Sequence, residues 1–469
     1  MKKLSISLAT ATLLASTAFA NENSAPAPKP ADEISPWVKS MKLGGQFKLW
    51  YQTMDHDGVD DAGFFVYEKG GNEWGNIEAM INIHGQANDH LKYKMSLMSV
   101  SDIGMQRNLV ASETTRPREV GATNGTAAQP FWIHEAYLDY VFTKNTDLKF
   151  GRMELDTPLA FTEKWNATAN SFEAIVAVNT DIPDTTLVGA WVAKGNGATN
   201  TLLHAPQVFG SEATFNPYMA FDEIGNAGGA LVFGVVNKSI SNVPVQVWAY
   251  NINDVASAVW AQADASMEIA GNKAGVHLYG ASMGTQGKTD DFIKDAGSDT
   301  QATTGFAAKA GMHISNVLVY GAVSQIGEGN LPLANTATHF KKTKLPTASI
   351  FSDGMVAAQP DTTAWKVGAK AKFDGIGSVS ASYAGYNVGE NPDYINPNQK
   401  VGGPASMGVL AQNRGEDIDL TELDLVFATK VKDVDLKAMY INVSKTYVPG
   451  GDYGDESNQI IRLVGTLKF

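Results

Sequence analysis

Eighteen strand-like stretches of about ten residues each, several of them alternately apolar and polar along the chain, are joined by connections that are themselves alternately short and long. A strand sends successive side chains to opposite faces, so a stretch that alternates has one apolar face and one polar face. In the last of them, Gln459 to Phe469, the residues Ile461, Leu463, Leu467 and Phe469 share one side while Arg462, Thr466 and Lys468 share the other. No run of eighteen apolar residues occurs anywhere, so no helix of this chain can cross a bilayer. A sheet that crosses lipid must close on itself, because hydrocarbon offers nothing to hydrogen-bond an open edge. The expected fold is all-β, a transmembrane antiparallel β-barrel of 18 strands over residues 41–469.

The expected strands open with Leu43 to Met54, Asn76 to Gln86 and His90 to Val100, and close with Asp419 to Lys430, Asp435 to Lys445 and Gln459 to Phe469. Tight turns such as Ala87 to Asp89, Ser315-Asn316 and Asp374 to Gly377 have the Gly, Asn and Asp content that hairpins require. The longer connections include Ser101 to Pro130, Glu154 to Ser171, Glu328 to Thr362 and Gly389 to Ile418. Eight short turns against nine longer loops place both chain ends on the short-turn, periplasmic side.

Lys2 and Lys3, the apolar run Leu4 to Ala15 and the small residues of Ala18-Phe19-Ala20 are the parts of an export signal, with cleavage expected after Ala20. Residues 21–40 are Pro-rich and read as a loosely attached periplasmic lead-in. The chain has no Cys, which excludes a lipid-anchored lipoprotein, a disulfide framework and a Cys-ligated metal. Two of the 36 basic residues lie in the signal, so 34 remain against 49 acidic ones. That balance argues against nucleic acid as a partner, since phosphates need a basic surface.

The faces of several strands can be sorted. Leu91, Tyr93, Met95 and Leu97 oppose Lys92, Lys94 and Ser96; Trp365, Val367 and Phe373 oppose Lys366, Lys370 and Lys372; Leu423, Leu425 and Phe427 oppose Glu422 and Asp424. Charges are costly on the lipid side, so Lys92, Lys94, Lys366, Lys370, Glu422, Asp424 and Arg462 are expected to line the lumen. Two stretches do not sort: Leu148 to Met153 puts Phe150 with Arg152, and Asp435 to Lys445 puts Lys437 with Ile441 and Val443. A subunit contact or a folded-in loop would cover such faces. Trp50, Tyr51, Trp132, Tyr140, Phe142, Trp191, Trp248 and Tyr250, near strand ends, are suited to interfacial aromatic girdles.

The stretch Leu148-Lys149-Phe150-Gly151-Arg152-Met153-Glu154-Leu155-Asp156-Thr157-Pro158, then Asn170 to Glu173 and Asp181 to Trp191, resembles the Gly-Arg strand end and third loop of Gram-negative porins. The narrower resemblance is to the eighteen-stranded group that contains Pseudomonas-type specific porins and campylobacterial major outer-membrane proteins. It implies a homotrimeric water-filled channel in the outer membrane, set among lipid and lipopolysaccharide, with the third loop folded inward as a constriction. Charges at a narrow point in a low-dielectric wall set ion preference, and Arg152, Glu154, Asp156 and Glu163 are the candidates there, with Phe161 and Trp165 as wall anchors. The net negative charge leans toward weak cation preference.

Asp55-His56-Asp57-Gly58-Val59-Asp60-Asp61 offers Asp55, Asp57, Asp60 and Asp61 as hard oxygen donors for calcium, without the EF-hand pattern; no other cofactor is expected. Zinc-type His spacings, nucleophile-elbow and phosphate-loop sequences are absent, so no enzyme is expected. The expected function is passive diffusion of small hydrophilic solutes and ions. The alternatives are a channel specific for a carboxylate, amino acid or sugar, and a surface adhesin or structural protein using long loops such as Ser101 to Pro130 and Glu328 to Thr362.

Overall fold

The computed structural model describes residues 36–56, 63–65, 73–101, 132–165, 167–195, 222–223, 228–295, 299–338, 340, 342–389, 417–447 and 456–469. The export signal, residues 21–35 of the lead-in, and Asp57, Asp60 and Asp61 lie outside them.

The strands are β1 (Lys42–His56), β2 (Glu73–Asn88), β3 (Leu91–Ser101), β4 (Trp132–Thr143), β5 (Thr146–Met153), β6 (Phe172–Asn179) and β7 (Thr185–Gly195). After the two-residue β8 (Asp222–Glu223) come β9 (Ala230–Asn237), β10 (Val245–Ile252), β11 (Ala256–Ile269), β12 (Asn272–Thr285), β13 (Thr303–Ile314) and β14 (Val317–Ile326). The wall ends with β15 (Thr362–Phe373), β16 (Gly377–Val388), β17 (Ile418–Val431), β18 (Val434–Tyr447) and β19 (Glu456–Lys468). Each wall strand pairs antiparallel with the next, and β7 pairs directly with β9, so β8 is an annex and eighteen strands form the wall.

The ends close the cylinder. β19 pairs with β1 from Gln46↔Lys468 to His56↔Asn458, and Phe469 and Gly45 exchange both backbone hydrogen bonds. Gly45 is required there: a Cβ would lie 2.3 Å from the Met80 carbonyl and 2.7 Å from the Phe469 ring.

The outer face carries exposed Leu43, Phe47, Leu49, Leu138, Phe150, Ile175, Leu231, Phe233, Val247, Phe306, Trp365, Val367, Leu425 and Leu463. In a bilayer such a surface is covered by hydrocarbon rather than water. Tyr140, Phe142 and Trp191 stand on this face as expected, whereas Trp50, Trp132, Trp248 and Tyr250 are buried on the inside and do not belong to a girdle.

One sector of the inner face is apolar too. Val176, Val192, Val232, Trp248, Tyr250 and Trp260 turn inward, and Leu159, Leu331, Leu333 and Phe340 from two connections pack on them. Residues 154–171, between β5 and β6, therefore fold inward as expected. The described residues of 327–361, between β14 and β15, do the same, a second inward loop beside the expected one. A second cluster places Val356, Ala357, Ile350 and Phe351 against Ile418, Leu420, Ile441 and Val443. The mixed face of β18 is thus explained by a loop that covers its upper half.

At the short-turn end, a helical turn (Pro36–Lys39) leads into β1. The Tyr93 hydroxyl donates to the Trp37 carbonyl (2.8 Å), and Ser40 Oγ both donates to and accepts from the Gln86 backbone (2.6 and 2.8 Å). The last residues of the lead-in are attached to β2 and β3.

Candidate functional site

Filling one side of the barrel with loops leaves an eccentric cavity of about 1130 Å³ along the remaining wall, from β15 through β19 and β1 to β4. It reaches the short-turn end at Lys372, Gly377, Lys430, Asp435 and Lys468, and is roofed by Glu154, Lys164, Trp165, Lys342, Ile350 and Asp353.

The two loops are pinned to each other. Asn335 Nδ2 donates to the Phe161 carbonyl (2.9 Å) and to Glu163 (3.1 Å), while its oxygen accepts from Phe161 N–H (3.1 Å). Thr336 donates twice to the Leu159 carbonyl, from N–H (2.9 Å) and from its hydroxyl (2.8 Å). Lys344 bonds Asp156 at 2.5 Å.

The 327–361 loop is also fixed to the wall. Glu422 accepts from the N–H groups of Phe351 (2.8 Å) and Ser352 (2.5 Å), and Lys366 donates to the Ala348 carbonyl (2.7 Å) and Ser349 (3.0 Å). Asp424 lies 3.8 Å from Lys366, and the Tyr386 hydroxyl meets the Thr347 carbonyl (2.8 Å) and Ser349 (2.9 Å). Lys366, Glu422 and Asp424 face inward as expected, but they hold the loop and are closed off from the cavity.

At the roof, Trp165 Nε1 donates to Glu163 (2.8 Å) and its carbonyl accepts from Trp50 Nε1 (3.1 Å). The Arg462 guanidinium lies 4.8 Å from the Trp50 ring centre and 5.8 Å from that of Trp165, and donates twice to Gln52 Oε1 (3.0 and 2.9 Å). Lys342 approaches the other side of the site, 4.9 Å from the Trp165 ring and 2.8 Å from Asp353. Burial pushes the Asp353 carboxyl up, against the pull of Lys342.

Glu154 is bonded to His134 (3.1 Å) and to Lys164. Burial alone would raise its carboxyl, yet these two partners hold it down at about 2. His134 reaches the lumen through a bulge: Ser96 is registered with Glu135 and Leu97 with Ile133, so His134 is one residue extra and both His134 and Glu135 point inside. Lys94 pairs with Glu135. Among the described residues His134, Glu135 and Glu154 have ligand atoms within 4.8 Å of one another, but Lys94 and Lys164 already neutralise the two carboxylates.

The four constriction candidates therefore have four different places. Glu154 lines the cavity; Glu163 is buried beneath it as a pin for Trp165 and Asn335; Asp156 is exposed and ties the loops together. Arg152 is a correction. It is registered with Ala136 and Glu173, shares the outward side with Phe150 and Ile133, and bonds Glu173 and the Ile133 carbonyl, both at 2.7 Å. The period of two carries it outward with Phe150, while Gly151 between them, at φ +124°, has no room for a Cβ beside the Ala136 carbonyl at 2.3 Å.

Among the wall candidates Lys94, Lys370 and Arg462 line the main cavity, and Lys92 lines a smaller recess of about 350 Å³ with His84, Tyr137 and Asp139. Lys372, on the polar face with Lys370, lines the cavity too, whereas Trp50, Lys48, Glu78, His134, Glu135, Lys342 and Lys437 are site residues that the alternation did not single out. A signal for the two-loop roof was present in β6, β9 and β10: Phe172-Glu-Ala-Ile-Val-Ala-Val, Ala230-Leu-Val-Phe-Gly-Val-Val and Val245-Gln-Val-Trp-Ala-Tyr are apolar on both faces, as strands covered on both sides are.

A family model described as Campylobacter major outer membrane protein matches residues 1–325. No curated protein sequence matches the chain. Among solved structures, Pseudomonas aeruginosa OpdO aligns with a TM-score of 0.63 at 11% identity, covering 92% of this chain and 98% of that one. Pseudomonas aeruginosa OccK8 (OprE) gives 0.63 at 14% identity over 92% and 99%. Pseudomonas aeruginosa OpdK with vanillate gives 0.62 at 12% identity over 91% and 98%. These similarities extend to the fold.

Proposed function

This chain belongs to the Campylobacter major outer membrane protein family and resides in the outer membrane, and on that premise we propose how its porin channel works. Small hydrophilic solutes and ions diffuse passively past the joined loops into the charged cavity, and the roof charges Glu154, Lys164, Lys342 and Arg462 set their selection. The observation that carries this reading is the cavity itself: a space of about 1130 Å³ lined by ionised side chains, inside a closed wall whose outside is apolar. No bond need be made or broken, so the protein acts as a conduit and not as an enzyme. Planar-bilayer recording of the purified protein is expected to show stepwise conductance; insertion without current would sink the proposal.

A second reading, a channel with a binding site for a carboxylate, is favoured by the Arg462 guanidinium beside two indole rings, an arrangement that suits an aromatic acid. Saturable block of the current by such an acid, weakened in Arg462→Gln, would separate it from a general pore. The homotrimer implied by the resemblance is supported by the wall from β5 to β10. There β5, β6, β9 and β10 have eight residues each, about 20 Å of height when tilted, against an apolar band of ~25 Å. A neighbouring subunit would cover this low sector and the outward Arg152–Glu173 pair. Native mass spectrometry yielding only monomers would remove that element. We extend the proposal to calcium at Asp55, Asp57, Asp60 and Asp61; calorimetric titration without heat would dismiss it.

A further inference from the structure

The charge of the barrel is divided along its axis. At the short-turn end the cavity is lined by Lys370 and Lys372 of β15, Lys437 of β18 and Lys468 of β19, and among the described residues none of the four has a carboxylate within 4.0 Å. Across the whole cavity lining ten Lys and Arg residues stand against five Asp and Glu. Four of those five, Glu135, Glu154, Asp353 and Asp435, are already taken by Lys94, Lys164, Lys342 and Lys430.

The opposite end is acidic. Asp290 and Asp291 begin the short helix Lys288–Asp295, and Glu328, Asp361, Asp417 and Asp419 stand where β14, β15 and β17 meet the long connections. Burial raises the Asp361 carboxyl, and Glu328 and Asp417 add to the rise, the mark of carboxylates crowded together. In sequence, the connections at this end hold 27 acidic residues against 12 basic ones. In sequence the excess of acid is thus carried by the connections of this end, inward-folded loops included, while the lumen near the other mouth has the reverse sign.

We propose that this channel rectifies ionic current: its extracellular mouth admits cations, its lysine-lined periplasmic vestibule admits anions, and conduction is larger when the extracellular side is positive. The inference rests on the porin reading. With that polarity cations enter through the acidic mouth while anions enter through the basic vestibule, so both accumulate where the zones meet. With the reverse polarity both are drawn away, and the junction is depleted of carriers. A low-dielectric wall focuses both fields, and the effect requires a screening length comparable to the zones, about 30 Å at 0.01 M salt but about 3 Å at 1 M.

The test is a current–voltage curve on the full-length protein in bilayers at 0.01 M and at 1 M potassium chloride. Orientation is read from Asp433→Cys in a periplasmic turn, the only thiol of an otherwise Cys-free chain, labelled from one chamber by an impermeant maleimide. The expected result is a current ratio of about two or more at low salt, favouring the extracellular-positive polarity, and a ratio near one at high salt. Replacing Lys370, Lys372, Lys437 and Lys468 by Gln should abolish the ratio and move the reversal potential in a salt gradient toward cations. The single variants Lys372→Gln and Lys437→Gln should each lower the ratio, should the fourfold variant fail to assemble. A linear curve at low salt, or rectification of opposite sign, overturns the inference while leaving a conducting porin intact. A protein that inserts without conducting refutes the porin reading instead.

Discussion

At the residue scale Glu154 is the charge whose behaviour can be followed most directly. Its ordinary value of 4.5 is lowered to about 2, so His134 and Lys164 favour the ionised form. A carboxyl lowered on folding contributes stability that is complete above its ordinary value and is lost as the pH falls through its folded value. Roof selectivity should therefore hold as the pH falls from neutral past 4.5 and change only at about 2, where the folded carboxyl takes up its proton, as read from reversal potentials. In Glu154→Gln the neutral-pH reversal potential should shift toward anions and this acid-dependent change should vanish. Arg152 gives the contrasting case: Arg152→Gln should leave selectivity unchanged, because its guanidinium lies outside with Glu173.

At the element scale the connection 327–361 is held from both sides, by Asn335 and Thr336 toward residues 159–163 and by Glu422, Lys366 and Tyr386 toward the wall. Tyr386→Phe leaves buried oxygens of Thr347 and Ser349 without their donor or acceptor, a cost of about 1–3 kcal/mol. Glu422→Ala removes the acceptor of two backbone N–H groups and should detach residues 348–353. Both variants should raise single-channel conductance and speed tryptic cleavage at Lys342 and Lys344, with the barrel itself still folded. Unchanged conductance in Glu422→Ala would mean that this loop does not narrow the path. The β18 strand illustrates what the linear pattern could not separate: Lys437 and Ile441 share one face, and the difference between an open vestibule and a covered wall lies in a loop about ninety residues earlier.

For the whole molecule, closure is the decisive event. β19 supplies partners to both β1 and β18, so removing residues 456–469 leaves two edges that no bilayer can solvate. Such a truncation should lose the heat-dependent gel mobility of a folded barrel, whereas a Phe469→Leu variant, which keeps the backbone exchange with Gly45, should retain it. The order of the eighteen wall strands, their limits to within about three residues, the side on which the wall begins and ends, and the inward faces of β3, β15 and β17 were all legible in the chain. They depend on a period of two, on turn residues and on the cost of charge in lipid, each of which acts locally. The place of Arg152, the inward pair His134–Glu135, the duties of Glu422 and Lys366, and the joining of residues 159–163 to 335–336 were settled by folding in space. A bulge reverses which face a residue takes, and a hydrogen bond across more than 170 residues has no local pattern. The first feature of the sequence, alternation along a strand, divides lipid from water; which part of that water-facing side remains open is the work of two distant loops meeting within the wall.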